Sequence, residues 1–392
     1  MIDKALAEIS EDIFRCYRCG DCREMWRYIT GTYGSCPVRE ELRHEHYCGR
    51  GRTAVARAIL ENKLSYDESV ADLAYSDLCC WHCTEVCTLL EGYKIRVPLI
   101  TRLFREDLVK LGLGPPEALK RLASNVRKSG NRFGQMTQRR AWCSGINISP
   151  KAEVLLFVGC NASYIYTDIA KAAAATLKKA GVDFTLLSDE HCCGVTQIWD
   201  GQKQIAEELA NHNVRAISDA GANVVVTTCA ECYHTIKFDY PELTGDKLGF
   251  EVLHISEFLS DLIEKSKIKF REFRKKVVYH DPCQLGRGSN IYEQPRKILS
   301  AIPGVEMLEM KRNRANSWCC GSGAGQVVRL ANPQLAMNIA KDRLQEANNT
   351  QAQTLVTSCP FCLTLLSAAK RSMDKVDIEL SDLITFVSQT LE

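Results

Sequence analysis

The chain has 392 residues, of which 45% are hydrophobic and 25% are charged, and its formal net charge is +2. This length exceeds what one hydrophobic core usually organises, so two or three domains are expected. The near-neutral charge gives no electrostatic reason to expect nucleic-acid binding, and no apolar run approaches the length of a membrane span. The start, MIDKALAEISEDIF, has a helical apolar period but no signal-peptide core, so a cytoplasmic location is expected.

The predicted elements change in kind along the chain. Residues 1–100 contain charged helical segments, and residues 101–150 form a Lys/Arg-rich helical connector. From residue 151 onward, short apolar runs alternate with amphipathic helices. The apolar runs are AEVLLFVGC, VDFTLLS and NVVVTTC in the first half of this region, and KKVVYHDPC, VEMLEM and TLVTSC in the second. This alternation predicts a largely parallel sheet covered by helices.

Cysteine is the most informative residue type in the chain. There are 20 cysteines, with nine in residues 1–100, one in 101–150 and ten in 151–392. Disulfide scaffolds are typically small secreted chains, and this chain has neither feature. In a reducing compartment, clustered cysteines usually bind metal or carry out redox chemistry. Metal or iron–sulfur ligation is therefore the favoured interpretation.

The ten cysteines after residue 151 recur at matching places in two halves. Each half carries a Cys-Cys-Gly triplet, whereas chance would give only about 0.06 such triplets at this composition. Equivalent cysteines are offset by 123, 127 and 130 residues, so an internal duplication is the simplest interpretation. Because parallel strands end at one edge of a sheet, the five thiols of each half can meet in one pocket. The two sets are Cys160, Cys192, Cys193, Cys229, Cys232 and Cys283, Cys319, Cys320, Cys359, Cys362.

Five thiols exceed the four that a cubane cluster or a zinc ion uses. Either one thiol is spare, or the bound cluster is larger than a cubane. The glycine that closes each triplet accepts backbone angles closed to other residues, so both adjacent cysteines can point into one pocket. The segment GSGAG after the second triplet lacks the full spacing of a phosphate-binding loop, which favours close backbone packing around a cluster.

The amino-terminal cysteines have the spacing of a two-cluster ferredoxin. Three of them form a C-x-x-C-x-x-C pattern, which wraps one face of a cuboidal 4Fe–4S cluster. In two-cluster ferredoxins the fourth ligand of each cluster comes from the other motif. Cluster 1 is therefore assigned to Cys16, Cys19, Cys22 and Cys87.

Cluster 2 has a less regular motif. Its expected ligands are Cys36, Cys79, Cys80 and Cys83. The first position of the second motif falls on Asp77 instead of a cysteine, and Cys79 follows two residues later. Cys79 is the expected fourth ligand, while Cys48, an Asp77 oxygen or a three-iron cluster are the alternatives.

The repeated pattern C…CCG…C-x-x-C resembles the CCG-domain proteins typified by the catalytic subunit of heterodisulfide reductase. With the two ferredoxin motifs and GRGRTAVARAIL between them, nearly the whole chain resembles the fused, HdrD-like form of that family. The resemblance implies an α+β and α/β architecture, in which a mostly helical ferredoxin-like domain precedes a duplicated α/β domain with parallel sheets. The expected parts are a two-cluster domain, a helical connector, a first CCG domain and a second CCG domain, at 1–100, 101–150, 151–265 and 266–392.

The resemblance further implies a non-cubane 4Fe–4S cluster in each five-cysteine set, beside the two cubane clusters. In heterodisulfide reductases the two non-cubane clusters face each other and split a disulfide, while the ferredoxin-type pair supplies electrons. The expected function is therefore a heterodisulfide-reductase-like subunit that reduces a disulfide or a related sulfur substrate. The alternative is a non-catalytic electron-transfer subunit that links a flavoprotein, such as an electron-bifurcating one, to another redox module or to quinone.

The expected partners follow from the same resemblance. No complete nucleotide-binding fingerprint is present, so flavin or nicotinamide is expected on a partner and not on this chain. The partners are a flavoprotein, other iron–sulfur subunits or a membrane cytochrome b subunit, through which the chain would be peripheral to a membrane. No nucleic-acid partner is expected.

Four polar residues close to the cysteines are further candidates. His280 and Asp281 precede Cys283, and packing at a strand end is favoured over a proton-donor role. His191 and His234 are candidates to donate hydrogen bonds to cluster sulfur. Cys143 lies outside the counted sets and is interpreted as a plain thiol, which is also the favoured interpretation of Cys48.

Overall fold

The computed structural model describes residues 4–24, 34–87, 93–135 and 139–392. Its amino-terminal part is helical, as predicted, and short loops connect the helices. Local sequence marks some boundaries, since the Asp67 carboxylate accepts hydrogen bonds from the first free N–H groups of a helix that begins at Glu68. The helices are α1 (Ser10–Arg15), α2 (Pro37–Leu42), α3 (Gly49–Leu60), α4 (Glu68–Tyr75), α5 (His82–Glu85), α6 (Val97–Lys110) and α7 (Glu117–Ser129).

The first half of the remaining chain alternates strands and helices. Its strands are β1 (Val154–Phe157), β2 (Phe184–Thr185), β3 (Val224–Thr227) and β4 (Glu251–His254). Its helices are α8 (Gly159–Tyr164), α9 (Thr167–Lys179), α10 (Val195–Asp200), α11 (Lys203–Ala220), α12 (Ala230–His234), α13 (Tyr240–Thr244) and α14 (Ile255–Glu264).

The second half repeats this alternation. Its strands are β5 (Lys275–His280), β6 (Val305–Leu308), β7 (Thr354–Thr357) and β8 (Glu379–Asp382). Its helices are α15 (Glu293–Ser300), α16 (Val327–Ala331), α17 (Pro333–Asn348), α18 (Pro360–Arg371) and α19 (Leu383–Ser388).

The two halves form two parallel sheets with the same topology. The strand orders are β2-β1-β3-β4 and β6-β5-β7-β8, and every pairing within them is parallel. The mixed helical and parallel-sheet architecture expected from the sequence is confirmed. The edge strands β4 and β8 were not predicted, because EVLH and ELSD alternate polar with apolar residues instead of forming an apolar run.

The halves approach each other backbone to backbone near the GSGAG segment. Gly325 has φ +63°, and a Cβ atom there would lie 2.6 Å from Cα of Thr196 in the other half. The Thr196 hydroxyl also donates a hydrogen bond to the Gly325 carbonyl oxygen at 2.8 Å. This segment therefore packs closely against backbone, and the backbone that it meets belongs to the first half.

Among the described residues, none of the helices combines the length and the apolar character that a membrane crossing requires.

One buried arginine ties the helical part to the first sheet domain. Arg105 on α6 is fully buried, and its Nε donates to the carbonyl oxygen of Ala74 at 3.0 Å. Its Nη2 donates to the Asp77 carbonyl oxygen at 2.7 Å, and its Nη1 donates to that of Trp199 at 2.6 Å. One guanidinium thereby binds carbonyl groups of the amino-terminal helical part and of the first sheet domain. These bonds fix the segment before Cys79 against the first sheet domain.

Replacing Arg105 with Met should destabilise the protein, because the buried carbonyl groups of Asp77 and Trp199 would lose the guanidinium donor, whereas that of Ala74 keeps backbone donors. Each unsatisfied buried acceptor costs about 1–3 kcal/mol, so a loss of about 2 kcal/mol or more is expected. The apparent midpoint of anaerobic thermal unfolding should fall by roughly 2–5 °C.

The matched control is Arg57→Met. Arg57 is partly exposed and pairs with Glu61 one helical turn away at 2.8 Å, an arrangement that contributes about 0.5 kcal/mol or less. Equal midpoints for the two variants would contradict the role assigned to Arg105.

Candidate metal centres

The five cysteines of the first half meet at the carboxyl end of the first sheet. Cys160 lies on α8 just after β1, the triplet follows β2, and Cys229 and Cys232 flank the start of α12 after β3. All five are buried, and the Sγ atoms of Cys193 and Cys232 are 3.4 Å apart. Contacts between thiols run in the order Cys160, Cys192, Cys193, Cys232, Cys229.

The second half repeats this arrangement. Its five cysteines are also buried. Contacts between thiols run in the order Cys283, Cys319, Cys320, Cys362, Cys359, which matches the first set position by position. In the part of the chain that the structure describes, all 20 cysteines are free.

The two sets adjoin each other. The thiol of Cys229, at the end of the first set, contacts that of Cys359, at the end of the second. Glu231 lies beside this junction and is buried, and its carboxylate accepts a long hydrogen bond from the Gly325 backbone N–H at 3.4 Å. Burial raises the pKa of Glu231 well above its usual range. The ten thiols thus form one continuous group between the halves.

The glycine that closes each triplet adopts the backbone conformation that the sequence predicts. Gly194 has φ +83° and Gly321 has φ +93°, which lie in the left-handed region. A Cβ atom at Gly321 would lie 2.4 Å from the Ala336 carbonyl oxygen, so no larger residue fits there.

Hydrogen bonds between thiols lower the pKa of the second cysteine of each triplet. Bonds from Cys192 and Cys232 lower the pKa of Cys193 to about 6. Bonds from Cys319 and Cys362 lower the pKa of Cys320 well below its usual value. Because the thiolate is the metal ligand, these two positions are prepared for ligation.

Buried charged groups hold the first set in place. The Glu190 carboxylate accepts hydrogen bonds from the backbone N–H groups of Val158 and Gly159 at 2.9 and 2.8 Å, which fixes the turn before Cys160. Arg139 pairs with Glu190 at 2.5 Å, and its other terminal nitrogen lies 3.6 Å from the Cys160 sulfur. The sequence did not indicate these residues, because their partners lie far away along the chain.

A different charged network holds the second set. Arg343 is fully buried and donates hydrogen bonds to the Ser317 hydroxyl at 3.1 Å and to the Glu346 carboxylate at 2.7 Å. Its Nε donates to Nδ1 of His280 at 3.1 Å, which leaves the His280 proton on Nε2. One ring nitrogen of His280 lies within 4.8 Å of the Cys320 and Cys362 sulfurs, and Nε2 has no hydrogen-bond partner among the described residues.

Of the four polar candidates, His280 is the one with a ring nitrogen within 4.8 Å of cysteine sulfurs in the described structure. Asp281 instead forms a bidentate ion pair with Arg296 at 2.6 and 2.9 Å. Nδ1 of His234 lies 3.1 Å from the Ser289 hydroxyl. Nε2 of His191 lies 3.3 Å from the Asp189 carboxylate, close to the surface of the protein. Burial lowers the pKa of His280 to about 3, so the ring is neutral, as a packed strand-end histidine would be.

The amino-terminal cysteines form a neighbouring group near the surface. Those assigned to cluster 1, namely Cys16, Cys19, Cys22 and Cys87, line one small cavity together with Cys83. Cys19 is exposed, and the backbone N–H of Arg50 donates a hydrogen bond to the Cys22 sulfur at 3.1 Å. The structure therefore brings the four expected residues together.

The cysteines assigned to cluster 2 lie deeper, around a buried arginine. Arg52 is 1% exposed and interacts electrostatically with Cys36, Cys48, Cys83 and the Asp77 carboxylate. Its Nη2 has no hydrogen-bond partner among the described residues, which suits an anionic group placed between these side chains.

Cys48 is linked to both amino-terminal groups, because its thiol contacts that of Cys22 and also influences the pKa of Cys36. The thiols of Cys36 and Cys48 both donate to carbonyl oxygens of the same turn, those of Tyr47 and Glu45, at 3.5 and 3.0 Å. For Cys79, the cysteine named among the main influences on its pKa is the adjacent Cys80.

The Asp77 carboxylate is engaged by other groups. It accepts hydrogen bonds from the Thr101 hydroxyl at 2.6 Å and from the backbone N–H of Cys79 at 3.2 Å. It also lies 3.5 Å from Nε of Arg52. An aspartate with both oxygens occupied in this way is a poor candidate for a metal ligand.

The segment around Cys80 joins the amino-terminal group to the second set. The Cys80 thiol contacts that of Cys319. Arg287 holds the two segments together, since it donates to the carbonyl oxygens of Cys80 at 2.7 Å and of Ser317 at 2.6 Å. The sequence did not predict this junction.

The donor sets fit iron–sulfur clusters. Buried free thiols, an unpartnered Nε2 on the neighbouring His280 and buried arginines beside the cysteines match the needs of an anionic, thiolate-ligated group.

The comparisons with known proteins agree with this chemistry. The cysteine-rich domain family CCG matches residues 154–237 and 277–367, which are the two halves described above. The HdrD subunit of the dihydromethanophenazine:CoB–CoM heterodisulfide reductase of Methanosarcina acetivorans is 37% identical over 388 residues, or 96% of this chain and 93% of the relative. The second part of the chain is thus a pair of CCG domains. The whole chain belongs to the HdrD family of heterodisulfide reductase subunits, which are iron–sulfur oxidoreductases.

More distant relatives extend these comparisons. The EtfAB:quinone oxidoreductase of Syntrophomonas wolfei is 28% identical over 328 residues, which are 79% of this chain but 45% of that protein. A hypothetical protein from Helicobacter pylori has a similar solved structure, with a TM-score of 0.58 and 10% identity, over 99% of this chain and 76% of that one. At this identity the likeness concerns the fold alone.

The fourth ligand of cluster 2 can be tested by two alanine variants. Cys48→Ala should lose about four iron atoms per chain together with one cubane EPR signal of the reduced protein, whereas Cys79→Ala should retain both. Cys143→Ala is the matched control, because this thiol is half-buried and donates to the Arg140 carbonyl oxygen at 2.9 Å.

Iron loss from Cys79→Ala but not from Cys48→Ala would restore the ligand set expected from the sequence. Retention of iron by both variants would point to Asp77.

Proposed function

We propose that this chain is a heterodisulfide-reductase-like catalytic subunit that reduces a disulfide or a related sulfur substrate at the two CCG sites. The observation that carries this proposal is the junction of the two five-cysteine sets at Cys229 and Cys359. The overall reaction consumes two electrons and two protons and converts one disulfide into two thiols. Iron–sulfur clusters, when bound, supply one-electron carriers, so two adjoining sites suit a two-electron reduction.

The proposed ligands are those expected from the sequence, with one change. Two cubane 4Fe–4S clusters are assigned to the amino-terminal group, where Cys48 replaces Cys79 in cluster 2. Two non-cubane 4Fe–4S clusters are assigned to the five-cysteine sets. The contact between Cys80 and Cys319 supports the proposal that the amino-terminal group supplies the second set with electrons.

The surroundings of Arg132 support the proposal that the substrate carries an acidic group. Together with Phe361 it lines a cavity at the first five-cysteine set. Arg132 is 7% exposed, and its guanidinium carbon lies 4.9 Å from the Phe361 ring centroid. Its Nη2 donates to the Gln326 side chain at 2.7 Å, but its Nη1 is buried without a partner among the described residues. A carboxylate, sulfonate or phosphate on the substrate would satisfy this donor.

A relay function without a substrate is the second candidate. The similarity to the EtfAB:quinone oxidoreductase favours it, because that relative is named for a flavoprotein donor and a quinone acceptor. In this case the partners would be a flavoprotein, other iron–sulfur subunits or a membrane cytochrome b subunit, and any flavin would lie on the partner.

Anaerobic purification, with iron and sulfide counted per chain, is the first test. About 16 iron atoms are expected for four 4Fe clusters, and the EPR spectrum should change when thiol or disulfide is added. Cys193→Ser should remove one non-cubane signal and leave the cubane signals. About 16 iron atoms with spectra indifferent to thiols would favour the relay, and about eight would mean that one pair of sites does not bind a cluster.

The substrate class can be tested with Arg132→Gln. Reduced methyl viologen is the donor, and the substrates are 3,3′-dithiodipropionate, which carries two carboxylates, and the neutral bis(2-hydroxyethyl) disulfide. The variant should lose at least about tenfold in kcat/KM for the charged disulfide, because a buried charged hydrogen bond is lost. The neutral disulfide should change less than about twofold.

Arg127→Gln, at an exposed pair with Glu208, should leave both activities unchanged. If Arg132→Gln lost kcat/KM equally for the two disulfides, Arg132 would act in cluster assembly and not in binding the acidic group of the substrate. Reduction of neither disulfide by the fully loaded wild type would support the relay.

A further inference from the structure

The ion pair of Arg139 and Glu190 lies beside the first cysteine of the first five-cysteine set. The Glu190 carboxylate accepts a hydrogen bond from Nη2 of Arg139 at 2.5 Å, while Nη1 of Arg139 donates to the Cys160 sulfur at 3.6 Å. The second distance is longer because sulfur is a larger atom than oxygen. One guanidinium therefore joins a carboxylate to a thiol that is assigned as a cluster ligand.

The position of this guanidinium is fixed by its surroundings. The Arg139 side chain is 12% exposed and that of Glu190 is 4% exposed, so salt and water screen their charges only weakly. The guanidinium carbon also lies 5.9 Å from the centroid of the Tyr164 ring, which belongs to the same helix α8 as Cys160. These contacts hold the positive charge next to the sulfur.

Part of the guanidinium remains available for a further acceptor. Nε of Arg139 is buried and has no hydrogen-bond partner among the described residues. The charge of Arg139 interacts electrostatically with Cys192 as well as with Cys160. A buried donor close to two cysteines suits an anionic group, such as the sulfide of an iron–sulfur cluster.

The equivalent positions of the second half carry other groups. Cys283 corresponds to Cys160, and Ser317, which lies two residues before the second triplet, corresponds to Glu190. Arg287 interacts electrostatically with Cys283, but its hydrogen bonds go to backbone carbonyl oxygens, among them that of Ser317. The hydrogen bond from a guanidinium to sulfur therefore distinguishes Cys160 from its counterpart.

A cation beside a cluster ligand affects how easily the cluster is reduced. Reduction adds one negative charge, and a nearby positive charge stabilises the reduced form. Arginine stays protonated in proteins, so this influence does not depend on pH. Glu190 opposes it, but the guanidinium is the group that contacts the sulfur.

The competing explanation is an ion pair with a purely structural role. Glu190 holds the turn before Cys160 through the backbone N–H groups of Val158 and Gly159, and Arg139 would then only neutralise Glu190. The hydrogen bond to sulfur and the unpartnered Nε favour a role toward the cluster. A reduction potential separates the two explanations, because a structural ion pair has no reason to change it.

We propose that Arg139, held by Glu190, raises the reduction potential of the cluster at the first five-cysteine set above that of the cluster at the second. In this step one electron passes from the second set to the first, so the second is oxidised, the first is reduced, and no bond forms or breaks. Electrons thereby collect at the set beside the cavity that Arg132 lines. The inference rests on the proposed function in one respect, namely that both sets bind redox-active clusters.

The test is a redox titration of the iron-loaded chain, followed by EPR. The signal of the first set is identified as the one that is absent from Cys193→Ser. In Arg139→Gln the midpoint potential of this signal should fall, so that the ratio of reduced to oxidised cluster at the wild-type midpoint decreases at least about threefold. Arg139→Lys, which retains a positive charge, should shift the midpoint less.

Two further variants separate charge from structure. Arg140→Gln removes the same charge from the neighbouring, exposed residue and should leave the midpoint unchanged. Glu190→Gln should raise the midpoint, because the loss of a negative charge favours the reduced form. A purely structural ion pair would not produce opposite shifts in Arg139→Gln and Glu190→Gln.

Three results would overturn the inference. The first is an unchanged midpoint in Arg139→Gln at full iron content, which would leave the proposed function intact, since disulfide reduction is measured separately. The second is a wild-type midpoint at the first set below that of the second, which needs no variant and therefore decides the matter even if Arg139→Gln loses iron. The third is a wild-type first set without iron, which would overturn the proposed function as well.

Discussion

Ten thiols from distant parts of the chain share one buried interior, and the rest of the structure depends on holding them there. Two physical problems arise, because the thiols must converge and the negative charge of thiolates must be balanced away from water. Parallel sheets solve the first problem. In the first sheet β1 and β3 end at the same edge, in the second sheet β5 and β7 do so, and the cysteines follow directly after these strand ends. Buried arginines solve the second, with Arg139 at the first set and Arg343 close to the second.

Sequence periodicity predicted the elements that build this interior. The apolar runs before Cys160, Cys229, Cys283 and Cys359 are the inner strands, and the glycines of the two triplets take the expected backbone conformation. Apolar runs and glycine turns depend on neighbouring residues in the chain, so they can be predicted from a single sequence. The edge strands β4 and β8 were missed because each has one partner strand and needs no continuous apolar run.

The charge-balancing residues could not be predicted in the same way. Glu190 acts on Val158 and Gly159, about thirty residues earlier, and Arg287 acts on Cys80, which is 207 residues away. Nothing in the local pattern distinguishes them from surface charges. Cys48 illustrates the same limit, because its position relative to Cys36 and Arg52 depends on how α3 packs and not on the motif spacing. The two five-cysteine sets could be predicted because the same cysteine spacing recurs in both halves of the chain.

The two halves share their topology but differ in what surrounds their cysteines. The second set contacts Cys80 and is enclosed by a network in which Arg343, Glu346 and Ser317 satisfy one another. The first set instead lines a cavity with Arg132, whose Nη1 is left without a partner among the described residues. If the two five-cysteine sets had the same role, the residues around them would be expected to be alike. The difference agrees with the proposed function, in which the second set would receive electrons from the amino-terminal group and the first set would meet the substrate, with Cys229 and Cys359 as the contact between them.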